Sequence, residues 1–305
     1  MRFSKETIMT DLINTRGITK RYDGAAVLDD VSLRVPAGCV TGFIGVNGAG
    51  KTTTIRALMG LMEPDAGEVI LFGEPFGPSA DDATASRLKE RIGVVLDTCP
   101  FIGDLPVKTA GTLMKASYPS WRQGRFEDLL EWFGLDPKKK IKDLSRGMGM
   151  KLQLACALAH DPDLLILDEA TAGLDPMARD EILDLLRDFM ADESRGILIS
   201  SHITTDLEKI ADRVVCIDQG RIAFDVEKDL ITDMAGVAHC RTAEFEDVRA
   251  SDLFASGELR WLRQPMSVDV LVPDRFAFAK RFPHIACDRA TIDDYLQLTL
   301  KGETR

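Results

Sequence analysis

Short runs of aliphatic residues alternate with amphipathic stretches through the first three quarters of the chain. Four of these runs have the length and flanking turns of buried strands: residues 40–44, 164–167, 197–200 and 214–217. Apolar residues recur with helical spacing at residues 51–59, a pattern that ends near Gly60, and at residues 177–190. Strands separated by helices favour a parallel sheet with crossover connections, so the sequence predicts an α/β fold.

The other segments predict hairpins and an inserted helical region. Residues 12–33 fit two strands around a turn at Asp23-Gly24, residues 67–72 fit a short strand, and Asp218-Gln219-Gly220 fits a hairpin turn into residues 221–224. Helical patterns dominate residues 79–160 and are interrupted at four prolines: Pro100, Pro106, Pro119 and Pro137.

The character of the chain changes after residue 226. Residues 267–272 alternate as a strand does, and residues 291–300 have the pattern of an amphipathic helix. We therefore predict three parts: an extension over residues 1–11, a main domain over residues 12–225 with a helical subdomain at about residues 79–160, and a small α/β accessory domain over residues 226–305.

Composition narrows the classes of function. The formal net charge is -11, and the one basic cluster, Lys138-Lys139-Lys140, fits a solvated helix end, so we do not expect nucleic acid as a partner. The six cysteines form no C-x-x-C pair, which favours reduced cytosolic thiols over disulfides or zinc. The N-terminus lacks the apolar segment of a signal peptide, and no run approaches about 18 apolar residues, so we expect no membrane span.

A phosphate-binding motif follows the first aliphatic run. Residues 45–53 read G-V-N-G-A-G-K-T-T and fit G-x-x-x-x-G-K-[ST], between a predicted strand and a predicted helix. Glycines allow backbone N–H groups to turn towards an anion, and the helix N-terminus favours the same charge. The alternative is a chance glycine-rich turn. The predicted nucleotide-binding residues of this loop are Gly45, Asn47, Gly48, Ala49, Gly50, Lys51, Thr52 and Thr53.

Within this loop, two side chains have distinct predicted roles. Lys51 is expected to reach the β- and γ-phosphates of a nucleotide, and the hydroxyl of Thr52 is expected to bind Mg²⁺. A second set of polar residues ends the aliphatic run 164–167, where Asp168 and Glu169 come to the sheet edge. Asp168 suits Mg²⁺, and Glu169 suits the general base that polarises the attacking water. A solvated strand-end acid pair is the alternative.

The neighbouring segments resemble those of one family. Residues 144–148 read L-S-R-G-M just before a helix pattern and resemble the L-S-G-G-Q signature of ATP-binding cassette (ABC) ATPases. Gly173-Leu174-Asp175 is similar to the family's D-loop, and Ser200-Ser201-His202 to its switch-histidine loop. Tyr22 precedes the phosphate loop where the family has an aromatic side chain that stacks on adenine. The motifs occur in the family's order across about residues 12–225.

The resemblance implies a P-loop NTPase core of parallel strands, with an antiparallel β subdomain and an inserted helical subdomain. It also implies two subunits packed head to tail, with each ATP between one phosphate loop and the other subunit's Ser145 and Gly147. His202 would contact the γ-phosphate, or be an ordinary histidine at a strand end. Tyr22 would stack on adenine, or pack against a turn. Asp175 would act in the D-loop and can also cap the helix that begins at Pro176.

Three positions depart from the family pattern. Asp97 stands where the family usually has glutamine, and it remains a third candidate for binding Mg²⁺ or water. In the signature, Arg146 replaces glycine and Met148 replaces glutamine. Arg146 would either add positive charge near phosphate or point into solvent, and we favour solvent.

The resemblance implies an ATP-binding and ATP-hydrolysing transporter subunit that uses ATP and Mg²⁺. Its expected partners are an integral-membrane permease, which would dock a cytoplasmic helix on residues 97–113, and a second ATPase subunit. We expect the chain to be cytoplasmic, at the inner face of the cell membrane. Similar departures occur in bacterial exporters with separate membrane subunits, which favours export. The alternatives are an ABC ATPase outside transport and an ATP-sensing module with little turnover; kinases and GTPases lack the signature and the switch histidine.

Overall fold

The computed structural model describes residues 11–77, 80–254 and 259–304. The predicted extension of residues 1–11 therefore lies outside the described residues except for Asp11, as does residue 79, the predicted start of the helical subdomain. Within the described ranges, no helix is long and apolar enough to cross a membrane.

The strands, in chain order, are β1 Asp11–Tyr22, β2 Ala25–Val31, β3 Arg34–Pro36, β4 Val40–Ile44, β5 Ala66–Leu71, β6 Glu74–Phe76, β7 Ile92–Val95, β8 Leu164–Asp168, β9 Gly196–Ser200, β10 Arg213–Asp218, β11 Arg221–Glu227, β12 Gly236–Cys240, β13 Arg260–Arg263, β14 Val268–Val272, β15 Cys287–Arg289 and β16 Glu303–Thr304.

The helices are α1 Lys51–Leu58, α2 Asp82–Glu90, α3 Val107–Ser117, α4 Gln123–Trp132, α5 Arg146–Leu158, α6 Pro176–Phe189, α7 Thr204–Ile210, α8 Thr242–Ala250, α9 Arg275–Arg281 and α10 Ile292–Lys301. A 3₁₀ turn occupies Ile141–Asp143 and a π-helical turn occupies Leu230–Met234.

A six-stranded sheet forms the centre of the main domain, in the order β11-β10-β4-β9-β8-β7. The five strands from β10 to β7 pair in parallel, and β11 closes one edge as the antiparallel arm of a hairpin. The sequence-based prediction of a parallel sheet is therefore confirmed. The hairpin turn at Gln219 and Gly220 has positive φ at both residues, the conformation that two-residue hairpin turns require.

The second sheet is antiparallel and has the order β2-β1-β5-β6, with β3 paired to β1. Its predicted turn is confirmed, because Asp23 and Gly24 both have positive φ between β1 and β2. Together the two sheets and their helices give the predicted P-loop NTPase architecture.

Side chains of the buried parallel strands alternate between two cores. In β8, Leu165 and Leu167 join a cluster with Leu152 of α5, while Leu164 and Ile166 join a cluster with Ile55 of α1. This period of two residues is a property of the extended chain, and it lets one strand bury both faces. The aliphatic runs that predicted the strands are therefore the residues that hold helices to each side of the sheet.

The region predicted as helical contains α2 to α5, but it also contains β7, which pairs with β8 at the edge of the central sheet. Phe126 of α4 packs closely against Gly111 of α3, where an added Cβ would lie 2.5 Å from its ring. The segment therefore leaves the central sheet after β7 and returns to it through α5. Its predicted boundaries stay predictions.

The last part of the described chain contains a separate sheet in the order β15-β12-β14-β13-β16. β14 and α10 confirm the strand and helix predicted there, and β11 continues to Glu227, past the predicted boundary at residue 225. The core of this accessory unit contains aromatic rings among aliphatic side chains: the ring centroids of Phe245 and Trp261 lie 5.2 Å apart, and both residues are buried.

The helix α10 attaches the accessory unit to the main domain, together with Ile231 of the π-helical turn, which is buried in the core of the main domain. Ile292 of α10 is buried in the core that contains the central strands, and its N–H donates to Glu208 of α7 at 2.9 Å. Tyr295 of α10 meets Phe224 of β11 edge to face, with ring centroids 5.0 Å apart. α10 therefore belongs to both parts of the chain.

Truncation of Phe245 tests whether the accessory unit has its own core. We expect Phe245→Ala to lower its free energy of unfolding by about 3–5 kcal/mol, because a fully buried aromatic ring is replaced by a cavity. Hydrogen exchange should accelerate in β12 and β14 and stay unchanged in β8 and β9. The control Phe276→Ala removes a ring that is 59% exposed and should cost less than about 1 kcal/mol. Equal effects of the two variants would contradict this account.

Candidate functional site

The polar residues singled out in the sequence lie at the carboxyl edge of the central sheet. β4 is followed by the glycine-rich loop, β8 ends at Asp168, and β9 is followed by Ser201 and His202. Parallel pairing brings these ends together, and Asp168 lies opposite Ser200 in the ladder between β8 and β9. This is the edge where open parallel sheets bind ligands.

The loop after β4 depends on glycine for two different reasons. A Cβ at Gly45 would lie 2.3 Å from the carbonyl oxygen of Ile217, so β10 leaves no space for a side chain. Gly48 and Gly50 instead have φ of 81° and 120°, which other residues rarely adopt. Asn47 is exposed at the loop tip, and Ala49 is buried beneath it. The loop therefore presents its backbone outward from a fixed base.

Lys51 carries a buried positive charge over this loop. It is 7% exposed and begins α1, and its Nζ donates to the carbonyl oxygens of Gly45 at 2.7 Å and Val46 at 3.4 Å. Among the described residues, no carboxylate forms an ion pair with it. Buried charges usually have an opposite charge nearby, so this arrangement suits a bound anion.

Thr52 and Asp168 bring two oxygen ligands together beside Lys51. The hydroxyl of Thr52 lies 3.4 Å from Oδ2 of Asp168, and the Ser200 hydroxyl donates to Oδ1 at 2.6 Å. Hydroxyl and carboxylate oxygens fit Mg²⁺, which keeps other positions for water and phosphate. The described residues contain no group of three acidic, histidine or cysteine side chains that could hold a metal unaided. Thr53 follows on α1 and is half-buried.

Glu169 is turned out of the strand by its backbone. Its φ of 54° lies in the left-handed region, and its N–H donates to both oxygens of Ser200, the carbonyl at 3.1 Å and the hydroxyl at 3.2 Å. The carboxylate accepts from the backbone N–H of His202 at 3.3 Å and lies 2.5 Å from the ring Nδ1. The structure therefore brings together the predicted base and the predicted switch histidine.

The predicted signature residues lie at the start of α5. Ser145 caps this helix, its hydroxyl accepting from the N–H of Met148 at 3.2 Å, and it is exposed. A Cβ at Gly147 would lie 2.8 Å from Leu174, so the D-loop packs directly against this helix end. The capping role of Asp175 is confirmed, because its carboxylate accepts from Ala178 at 3.0 Å at the start of α6.

Tyr22 ends β1 and is 49% exposed. Its only described cation contact is Lys20, whose Nζ lies 5.7 Å from the ring centroid. The open ring face is compatible with stacking on adenine, and it does not support a purely internal packing role.

Asp97 and Arg146, two of the three departures from the family pattern, contact each other. The guanidinium Nη2 of Arg146 donates to Oδ1 of Asp97, and its side chain lies over Gly173 of the D-loop. The expectation that Arg146 simply points into solvent is thus corrected: it is half exposed but paired. Asp97 as a ligand of Mg²⁺ stays a prediction, and here its carboxylate has a cationic partner.

Sequence reasoning gave no individual role to two residues that support the site. Ser200 joins Asp168 to the backbone of Glu169, and Gln153 forms two 3.0 Å hydrogen bonds with the backbone of Leu96. Gln153 is the lone polar residue inside the apolar run 152–159, and this pattern could have indicated a buried side chain that needs hydrogen-bond partners. The signal for Ser200 is its position at the end of a strand parallel to β8.

Comparison with known proteins agrees with this geometry. The family model described as ABC transporter matches residues 28–172. The bacitracin transport ATP-binding protein BcrA of Bacillus licheniformis is 34% identical over 72% of this chain and 71% of that protein. The Nod factor export ATP-binding protein I of Burkholderia orbicola is 38% identical over 68% of each chain.

A solved ATP-binding subunit of an ABC transporter superposes with a TM-score of 0.65 at 28% identity, covering 73% of this chain and 92% of that one. Family match, relatives and fold therefore agree with the motifs and with the arrangement at the sheet edge. The chain belongs to the ABC transporter family, as an ATP-binding subunit that hydrolyses ATP to drive transport.

Proposed function

We propose that this chain powers export through a separate membrane permease, as one of two ATPase subunits that enclose ATP between them. The observation that carries the proposal is the meeting of Lys51, Asp168, Glu169 and His202 at one sheet edge. The names of the relatives support export, since one is a Nod factor export protein. The peripheral position at the inner face of the membrane follows from the need to contact that permease.

The phosphate loop binds and orients the nucleotide in this proposal. Lys51 exchanges its contacts with the carbonyl oxygens of Gly45 and Val46 for the β- and γ-phosphates of ATP. Thr52 and Asp168 would hold Mg²⁺, which would neutralise charge on the phosphates. Tyr22 stacks on adenine and so positions the base.

Glu169 and His202 act on the water that attacks the terminal phosphate. The backbone turn of Glu169 and its contacts with His202 hold its carboxylate at the sheet edge. From this position the carboxylate accepts a proton from that water. Nδ1 of His202 faces the Glu169 carboxylate, so Nε2 is the ring nitrogen left to hydrogen-bond a phosphate oxygen. Glu169 and His202 then act on the same reaction, the attack of water on the terminal phosphate.

The second subunit completes the site with its signature. Ser145 is exposed at the N-terminus of the 13-residue helix α5, where unpaired N–H groups and the helix dipole favour a phosphate. Loss of the terminal phosphate removes this shared anion, so hydrolysis favours separation of the subunits. This is how hydrolysis is coupled to movement of the permease.

The surface of residues 97–113 receives the permease in this proposal. Ile102 is 66% exposed and Leu113 is 45% exposed, so the surface presents apolar side chains. A cytoplasmic helix of the permease with an apolar face would bury them.

Removal of the Lys51 charge tests the phosphate loop. We expect Lys51→Ala to weaken ATP binding by roughly 10- to 100-fold, because hydrogen bonds to charged groups contribute about 1.5–3 kcal/mol. Calorimetry measures the affinity. The control Lys115→Ala removes an equal charge from an exposed position on α3 and should leave affinity unchanged. Normal affinity in Lys51→Ala would refute the assignment.

Removal of the Glu169 charge tests the base and the two-subunit site together. We expect Glu169→Gln to bind ATP, to lose hydrolysis by about 10²- to 10⁴-fold, and to persist as a dimer with ATP and Mg²⁺. Phosphate release and light scattering report the two effects, and Glu131→Gln on the exposed side of α4 is the control. Only monomers in Glu169→Gln would count against the shared site.

A charge on the docking surface tests the permease proposal. The tagged chain, captured from gently solubilised native membranes, should bring down a multi-spanning protein that mass spectrometry identifies. We expect Ile102→Asp to lose that partner, because a carboxylate is buried against an apolar helix. Met266→Asp, at a position 94% exposed in the accessory unit, should retain it. Retention by both variants would exclude this surface.

A further inference from the structure

We infer that Asp97 and Arg146 form a matched pair that orients the signature helix, with Asp97 acting through Arg146 rather than as a metal ligand. The inference deepens the proposed two-subunit ATP site and rests on it. Both residues are positioning residues in this account: neither needs to touch the reacting phosphate.

The pair joins two segments that are 49 residues apart in sequence. Asp97 follows the end of β7, at the edge of the central sheet, whereas Arg146 is the first residue of α5 and adjoins Ser145. The side chain of Arg146 also covers Gly173, where an added Cβ would lie 3.2 Å from its Cδ. The guanidinium therefore connects the sheet edge, the signature and the D-loop.

Gln153 gives the same helix a second attachment to the same segment. Its amide accepts from the N–H of Leu96 and donates to the carbonyl of Leu96, both at 3.0 Å, and the residue is 3% exposed. Seven residues separate Gln153 from Arg146, which is about two helical turns. Gln153 fixes the middle of α5, and the ion pair fixes the direction of its N-terminal end.

Charge explains why Asp97 and Arg146 suit each other. Asp97, Arg146 and Ser145 line one cavity of about 380 Å³. An aspartate here without a cation would repel a terminal phosphate that approaches Ser145, since like charges destabilise each other across several ångströms. Arg146 neutralises that charge, and Asp97 in turn holds the guanidinium in one direction.

The size of the effect follows from exposure. The side chains of Arg146 and Asp97 are 53% and 51% exposed, so water screens the pair. Such pairs change an equilibrium constant by up to about fivefold, the equivalent of about 1 kcal/mol. Here the equilibrium is between helix ends that are oriented for the shared site and helix ends that are not. A dimer needs both of its signature helices oriented, so its dissociation constant should change by up to about 25-fold.

The experiment measures ATP-driven dimerisation in the Glu169→Gln background, by sedimentation velocity with ATP and Mg²⁺. We expect Asp97→Asn to weaken dimerisation by about 5- to 25-fold and Arg146→Gln to weaken it more, because the latter leaves an uncompensated carboxylate. The double variant Asp97→Asn, Arg146→Gln should dimerise no more weakly than Arg146→Gln alone. Such non-additivity is expected of two residues that interact. The charge-swapped chain, Asp97→Arg with Arg146→Asp, should recover part of the loss.

A second measurement separates positioning from metal binding and from misfolding. ATP affinity of the monomer, and its dependence on Mg²⁺ concentration, should be unchanged in Asp97→Asn, and the Tm should fall by no more than about 4 °C, the equivalent of one exposed ion pair. A higher Mg²⁺ requirement in Asp97→Asn would overturn the inference, as would purely additive effects of the two single variants. A Glu169→Gln parent that fails to dimerise would overturn the two-subunit proposal as well, whereas a dimerising parent without coupling overturns this inference alone.

Discussion

The parallel pairing of β8 with β9 is the constraint on which the site depends. Its register sets Asp168 opposite Ser200, whose hydroxyl donates to the Asp168 carboxylate at 2.6 Å while the N–H of Glu169 donates to both oxygens of Ser200. A slip of one residue would turn each side chain to the opposite face of the sheet. Thr52 contacts Asp168, and His202 contacts Glu169. The strand register therefore fixes the geometry of the proposed phosphate site.

In the proposed two-subunit site, the helical segment supplies the part that would serve a second subunit. Gln153 holds the middle of α5 to the backbone of Leu96, and Arg146 holds the start of α5 to the side chain of Asp97. Two of the departures from the family pattern, Asp97 and Arg146, are thus partners within one cavity. A signature with arginine in place of glycine keeps its serine and its helix N-terminus, and the aspartate compensates for the added charge.

The sequence was informative wherever function depends on neighbours in the chain. Residue types close together in the sequence predicted the phosphate loop, the acids at the end of β8 and the Asp175 cap, because local geometry and turn chemistry determine these features. The contact between Asp97 and Arg146 could not, because 49 residues separate them and exposed ion pairs leave no periodicity. Nor could the attachment of α10 to Glu208, because Ile292 looks in sequence like any apolar position of an amphipathic helix.

The most direct test of the central claim is a crystal structure of the Glu169→Gln chain grown with ATP and Mg²⁺. We predict two copies of the chain, with each γ-phosphate lying between Lys51 and His202 of one copy and Ser145 of the other. Mg²⁺ should contact the Thr52 hydroxyl, with Asp168 beside it. A nucleotide bound by one copy alone, with Ser145 open to solvent, would contradict the account.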